Sequence, residues 1–294
     1  MFIRRLPKFE YHAPSSVGEA LDLLKTCGKE AKLLAGGTDL LLAMKKRAVK
    51  PSHVINLKGI KGLSGITTDA SGITIGALTT VAEIYRSETV RDAYAPLWDA
   101  AAVMASPQVR TLATIGGNLV SAVPSADMAP PLMVLSAKAH IVGPSGERTC
   151  PVEDLFAGPS ECSLGLGEIL THITVPGAKG KGAYLKLMRR AALDLALVGV
   201  AAYVDLDDKG VCRSARVALG AVAPTPIMAP EAKEILEGKI LTAELAAEAG
   251  RVCGSVCRPI TDVRSSLEYR CSMVEVLTKR ALVAALDRSK EGGK

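Results

Sequence analysis

The sequence predicts an α+β protein: a long N-terminal region of mixed strands and helices, followed by a C-terminal domain of three strands and then helices. Three observations lead there. The chain has 294 residues, more than a typical domain of about 100–150 residues holds. Strand and helix patterns mix as far as residue 176 and then give way from Gly177 to strands followed by helices, the α+β order. Two Gly-Gly segments interrupt the first region, and the second opens a long stretch with no clean period.

The elements follow in order. Ser16 with Glu19 reads as a capping box opening a helix to Cys27, with Val17, Ala20, Leu21 and Leu24 at helical spacing. Lys32–Ala35 is a short strand running into Gly36-Gly37-Thr38-Asp39 and a helix from Leu40 to about Arg47. His53–Leu57 and Ile73–Ile75 read as strands, and Thr80–Ser87 and Val90–Met104 as helices. Thr111–Pro131 is rich in Gly, Ser, Pro and Asn and reads as irregular, and such long segments in compact domains are usually functional. Lys138–Val142 and Arg148–Val152 flank a hairpin turn at Gly143-Pro144-Ser145-Gly146, and Ile169–Val175 ends the region. Beyond it lie strands Ala183–Met188, Leu197–Leu206 and Ser214–Val222, then helices Ala229–Leu236, Thr242–Cys257 and Ser266–Asp287. The last six residues read as a polar tail.

Composition excludes several classes. Hydrophobic residues at 48% and charged residues at 22% are ordinary for a globular chain and argue against disorder. No apolar run approaches the roughly 18 residues of a membrane span, and Met1–Glu10 lacks the apolar core of a signal peptide. The net charge of +6 permits an anionic ligand. The basic runs Arg4-Arg5, Lys45-Lys46-Arg47 and Arg189-Arg190 lack interleaved aromatics, so no nucleic-acid surface is expected. Seven scattered cysteines imply reduced thiols and a cytoplasmic setting. Cys253 and Cys257 share a helix face at i, i+4, with Cys271 one helix on, but no C-x-x-C pair accompanies them, so no zinc or iron–sulfur site is expected. His12, His53, His140 and His172 are isolated along the sequence, and no nucleophile–base constellation is recognisable.

The chemistry lies in the glycine segments. Leu34-Ala35-Gly36-Gly37-Thr38-Asp39-Leu40 joins a strand to a helix, and Thr114-Ile115-Gly116-Gly117-Asn118 repeats the pair. Adjacent glycines let backbone approach a ligand, and successive N–H groups make an anion-binding nest, so two such loops suit the two phosphates of a dinucleotide. Neither G-x-G-x-x-G nor the P-loop signature is present, so the nucleotide would be held in another way.

These residues carry a family resemblance. Lys8-Phe9-Glu10-Tyr11, the Ala13–Ala20 helix entry, Leu33–Leu40, Ala113–Leu119, Ser125-Ala126-Asp127, Glu168-Ile169-Leu170 and Ala221–Pro226 follow in an order and spacing that resemble the FAD-binding medium subunits of the molybdenum hydroxylases, the xanthine dehydrogenase and carbon monoxide dehydrogenase family. The resemblance covers nearly the whole chain. It implies a two-part FAD-binding region of the vanillyl-alcohol-oxidase (PCMH) type over 1–176, in parts 1–56 and 57–176, and a C-terminal domain with a three-stranded antiparallel sheet and helices over 177–294.

The resemblance also implies the cofactor contacts: Leu33, Leu34, Ala35, Gly36, Gly37, Thr38, Asp39 and Leu40 in the first loop, and Thr114, Ile115, Gly116, Gly117 and Asn118 in the second. Asp127 falls where the family hydrogen-bonds FAD hydroxyls, and Leu170 and Lys186 fall at further contacts. A Lys at the flavin's pyrimidine edge suits the negative charge that reduction builds there. Met104 stands where some relatives have an aromatic, and Ser121–Ser125 is looser than the family's small-residue run. One branch of the family inserts a cysteine-bearing cluster loop after the second glycine segment, whereas the eight residues between Asn118 and Asp127 hold no Cys, so no cluster is expected in this chain.

The implied role is an electron-transfer subunit of a heterotrimer. A large molybdenum-cofactor subunit and a small [2Fe–2S] subunit would be its partners, FAD its cofactor, and NAD or another compound the acceptor. The competing readings are a free-standing NAD(P)H-dependent FAD oxidoreductase, for which no substrate acid–base set is found, and a cofactor-less scaffold, against which the intact glycine loops argue.

Overall fold

A computed structural model describes residues 5–291. The start of the Met1–Glu10 segment, Arg4 of the first basic doublet and the end of the polar tail lie outside the described residues.

The N-terminal part is a parallel three-stranded sheet. Strands β1 (Glu10–His12), β2 (Ala31–Leu34) and β3 (His53–Asn56) lie in the order β1-β3-β2, joined through helices α1 (Val17–Cys27) and α2 (Leu40–Lys45). Ser16 caps α1 by accepting from the Glu19 N–H at 3.2 Å. The reciprocal half of the expected capping box is displaced by one residue, because the Glu19 carboxylate accepts from the Ser15 N–H at 2.7 Å instead. Helical spacing sends Ala20 and Leu24 onto Ile55 and Leu57 of the sheet side.

The middle part is built on a five-stranded sheet, β4 (Ile66–Asp69), β5 (Gly72–Gly76), β6 (Lys138–Gly143), β7 (Gly146–Pro151) and β10 (Ile169–Pro176), in the order β4-β5-β10-β6-β7. The hairpin predicted at Gly143–Gly146 joins β6 to β7, and the short ribbon β8 (Phe156–Gly158) and β9 (Glu161–Cys162) follows. Helices α3 (Val81–Arg86), α4 (Glu88–Ala93), α5 (Ala95–Val103) and α6 (Pro107–Arg110) lie between β5 and β6. The break between α4 and α5 comes at Tyr94, just ahead of Pro96, which starts the next helix without an N–H to satisfy.

Thr111–Pro131 is not irregular throughout. It holds α7 (Ile115–Val120) and the start of α8 (Ala129–Val134). Each helix has only six residues, too short to display a hydrophobic period, and two of the prolines that suggest a loop, Pro130 and Pro131, lie in the first turn of α8.

The C-terminal sheet, β11 (Lys181–Leu187), β12 (Val198–Leu206), β13 (Cys212–Gly220) and β14 (Ile227–Met228), is antiparallel in that order. It has four strands, where the sequence pattern predicts three, because two residues of β14 pair with β13. Side chains alternate across this sheet: Val198, Val200, Ala202 and Val204 join a core with α9 (Glu231–Leu236), α10 (Ala243–Val256) and α11 (Leu267–Glu291). Ala201 and Tyr203 face the middle core with Ala218 and Tyr184. Burial on both faces explains why β12 reads as an unbroken apolar run. Arg288 near the end of α11 clamps Asp99 of α5 through two bonds of 2.7 and 2.9 Å and donates to the Gly182 carbonyl, fastening the C-terminal helices to the middle part.

Candidate functional site

The two glycine segments meet. A Cβ placed on Gly36 would lie 1.9 Å from the carbonyl oxygen of Leu112, two residues ahead of Thr114. Only glycine lets the loop after β2 press against the backbone that leads into α7. Gly37 turns the chain with φ +77°, a left-handed conformation that a side chain would strain.

The first segment leaves its donors open. Among the described residues, no group accepts from the N–H of Gly36, Gly37, Thr38, Asp39 or Leu40, and the Asp39 side chain makes no capping bond to α2. Five successive N–H groups without a partner need an acceptor, and solvent or an anion supplies one. Leu33 and Leu34 end β2, with Leu34 buried. The Ala35 carbonyl accepts from Lys58 Nζ at 3.4 Å, which brings a cation to the same loop.

The second segment has no such vacancy. Its N–H groups are engaged inside the fold: Ile115 with the Thr79 carbonyl at 3.0 Å, Gly116 with the Ala77 carbonyl at 2.9 Å, and Asn118 with the Thr114 carbonyl at 3.0 Å. Gly117 donates to the Thr114 hydroxyl at 3.1 Å, so Thr114 caps α7. The expectation of a second N–H nest is therefore corrected. Gly116 is required for packing, since a Cβ there would meet the Ala77 oxygen at 2.7 Å.

Asp127 is tied to this helix. The Asn118 side-chain oxygen accepts from the Met128 N–H at 3.2 Å, fixing the residue next to Asp127. The Asp127 carboxylate is buried and accepts from Lys186 Nζ and from the Tyr184 hydroxyl, each at 2.8 Å. The Lys186 side chain is 1% exposed, so it is not the solvated surface lysine that the type usually is. Burial holds the Asp127 carboxyl above its ordinary value, and the ammonium and the hydroxyl offset that in part. Burial, with the neighbouring carboxylate, pushes the Tyr184 hydroxyl well above the usual tyrosine value, so it remains a donor at neutral pH.

Tyr184 was missed by the sequence reading. Its place two residues before Lys186 in β11 puts both side chains on one face, but that is visible only once Asp127 is placed opposite.

The remaining predicted contacts are more remote. Leu170 lies in β10 with its side chain in the middle core, and its neighbour Thr171 accepts from the Ala77 N–H at 2.9 Å, next to Gly116. Met104 ends α5, packs partly buried on that core, and its carbonyl accepts from Arg110 at 2.9 Å.

The histidines are not isolated from each other in space. His12 Nε2 and His53 Nδ1 lie 3.1 Å apart, and the His140 and His172 rings stack at 4.1 Å. Cys257 falls just past the end of α10, with its sulfur 3.0 Å from that of Cys271.

Two family models divide the chain: "FAD binding domain in molybdopterin dehydrogenase" matches residues 7–178, and "CO dehydrogenase flavoprotein C-terminal domain" matches 183–285. The chain belongs to the FAD-binding medium subunits of the molybdenum hydroxylases. It is 39% identical to the carbon monoxide dehydrogenase medium chain of Hydrogenophaga pseudoflava, over 96% of this chain and 98% of that one. It is 32% identical to the xanthine dehydrogenase FAD-binding subunit of Escherichia coli O157:H7, over 97% of each. The carbon monoxide dehydrogenase structure from H. pseudoflava superposes with a TM-score of 0.93 at 38% identity, covering 97% of this chain and 99% of that one. Quinoline 2-oxidoreductase from Pseudomonas putida 86 superposes at 0.92 with 29% identity, covering 97% and 99%.

As a medium subunit the chain is an oxidoreductase component with FAD as its cofactor. No helix among the described residues is long and apolar enough to cross a membrane.

Proposed function

We propose that this medium subunit carries electrons from a small [2Fe–2S] subunit to NAD or another acceptor, while a large molybdenum-cofactor subunit oxidises the substrate. The two-part FAD-binding region would span 1–56 and 57–176, with a C-terminal domain that has an antiparallel sheet and helices over 177–294, in a cytoplasmic heterotrimer.

The observation that carries the reading is the open run of N–H groups from Gly36 to Leu40, in a chain of this family. These groups fit a pyrophosphate, because they are donors without acceptors and a diphosphate offers only acceptors. Thr38 and Lys58 add a hydroxyl and a cation at the same loop. Thr114 to Asn118 would bear on the cofactor from the α7 side, through side chains and backbone surface. Asp127 would accept from cofactor hydroxyls with the lone pairs that Tyr184 and Lys186 leave free. Lys186, held in place by that carboxylate, would set a fixed positive charge, and Leu170 and Met104 would supply apolar contact.

Bound FAD supplies the chemistry that the chain lacks, accepting electrons singly or in pairs. The chain's own contribution is binding, orientation and a fixed field, so no acid–base pair is required.

The first test is the visible spectrum of the purified chain, with FAD released by acid measured beside it. Flavin bands with about one FAD per chain are expected, and a colourless protein that refuses added FAD would overturn the reading. The acceptor is tested by adding NADH without oxygen. Bleaching of the flavin band supports NAD, and an unchanged band assigns another acceptor.

A further inference from the structure

The N-terminal sheet gathers residues that nothing in the flavin chemistry uses. In the parallel register Glu10 pairs with His53 and His12 with Ile55, so Glu10, His12 and His53 project on the face that carries Ile55. Helix α1 packs on that face through Ala20 and Leu24 and ends at Cys27. Gly28, with φ +55°, turns the chain there. The result is a cluster at the start of β2 and β3, about 10 Å along the strands from the glycine loop that follows Leu34.

The distances suit a metal. His12 Nε2 and His53 Nδ1 are 3.1 Å apart, and together with a Cys27 ligand atom they lie within 4.8 Å of one another. Tetrahedral zinc, with bonds of about 2.0–2.3 Å, sets ligands about 3.3–3.8 Å apart. The histidine pair is already near that spacing, and the thiol has about 1 Å to close. The Glu10 carboxylate oxygens stand 3.8 Å from His12 Nε2 and 3.6 Å from His53 Nδ1. The Glu10 side chain is 66% exposed, while His12 and His53 are 17% and 27% exposed. The imidazoles are thus held by the sheet, and the carboxylate can swing from solvent to a fourth position.

We propose that His12, His53 and Cys27, with Glu10 or a water as fourth ligand, form a binding site for a borderline-soft divalent cation of the zinc class. Two imidazoles, a thiolate and a carboxylate are a donor set that zinc accepts and that magnesium or calcium would not prefer. Binding releases the Cys27 thiol proton to solvent, and the hydrogen shared by His12 and His53 moves to the outer nitrogen of its ring. The ion would clip β1, α1 and β3 together across a sequence separation too irregular to register as a motif, which is why the sequence predicts no metal. Its role is structural and independent of the FAD reading.

The test uses the full chain, stripped with chelator and titrated with zinc alone and with cobalt alone. One equivalent of zinc should bind and raise the melting temperature, and cobalt should give a thiolate charge-transfer band. Cys27→Ser should abolish that band, and His53→Gln should weaken zinc about tenfold or more, with FAD content unchanged in both as evidence of folding. Wild-type protein that takes up no stoichiometric zinc, or whose cobalt spectrum lacks a thiolate band, overturns the proposal without recourse to any variant. So does a band that survives Cys27→Ser, since six other cysteines remain.

Discussion

At Gly36-Gly37 five successive N–H groups lack an acceptor among the described residues, whereas at Gly116-Gly117 every N–H from Ile115 to Asn118 is engaged. The first segment links a strand to a short helix, the second lies in the first turn of one, and both need glycine. The first needs it to approach Leu112 and to reach a positive φ, and the second needs it to lie against Ala77. The same dipeptide thus makes a ligand-facing edge in one place and a packed foundation in the other. The foundation also supports the charge cluster, because Asn118 fixes Met128 beside Asp127.

The largest effect should come from breaking that cluster. Lys186→Met leaves a buried carboxylate without its cation, and such losses cost about 3–5 kcal/mol. The sign of the pH dependence follows from Asp127, whose carboxyl is already held above its ordinary 3.8 by burial. Without Lys186 the folded value rises further, so between 3.8 and that value the folded state binds more protons than the unfolded one. The variant should therefore regain stability as pH falls through this window. Urea unfolding from pH 7.5 to 5 checks it; a flat profile would mean that Asp127 is not left charged and alone.

Gly36→Ala comes next and acts on the open edge. Its Cβ cannot coexist with the Leu112 carbonyl, so backbone must move. A cost of about 3 kcal/mol or more is expected, together with loss of FAD from whatever protein still folds. Gly116→Ala should cost about 1–3 kcal/mol through the Ala77 clash but retain FAD, because the N–H groups it disturbs are not offered to a ligand. Acid-released FAD measured beside thermal melting separates the two. If Gly116→Ala loses FAD while its stability holds, the contrast between the segments fails.

How much of this was legible depended on the range of the interaction. The loop after β2 could be read because strand, Gly-Gly and helix are consecutive. The different task of Gly116-Gly117 could not, since Ala77 and Thr79, which engage its N–H groups, lie some 40 residues upstream in sequence. The irregular composition of Thr111–Pro131 concealed two helices whose signal is in caps and prolines, at Thr114 and Pro130, with too few turns for periodicity. β14 escaped for the same reason, having two residues. Lys186 was singled out through family resemblance, but its burial depends on Asp127, 59 residues away. Tyr184 and the paired histidines, similarly, are products of sheet register.

The smallest effect concerns a place with no glycine segment, and it shows what a half-buried pair of stacked imidazoles does under titration. The rings of His140 on β6 and His172 on β10 stack at 4.1 Å. Thr174 and Thr149 hydroxyls bond the two nitrogens of His140 at 2.9 and 3.1 Å, and Thr171 meets His172 Nδ1 at 3.0 Å. Burial lowers both values below the ordinary 6.5; His172 and Lys138 lower His140 further, and Glu147 opposes both shifts. A folded state that resists protonation binds fewer protons than the unfolded chain once pH drops below about 6.5. Stability should therefore decline from there until the lowered folded values are reached, and be complete above that range. Unfolding of wild type at pH 7.5 and 5.5, beside His172→Gln, reads the slope directly. The variant leaves one histidine without its stacked neighbour and should show a shallower decline, while an undiminished slope would place the pH sensitivity on groups outside this sheet.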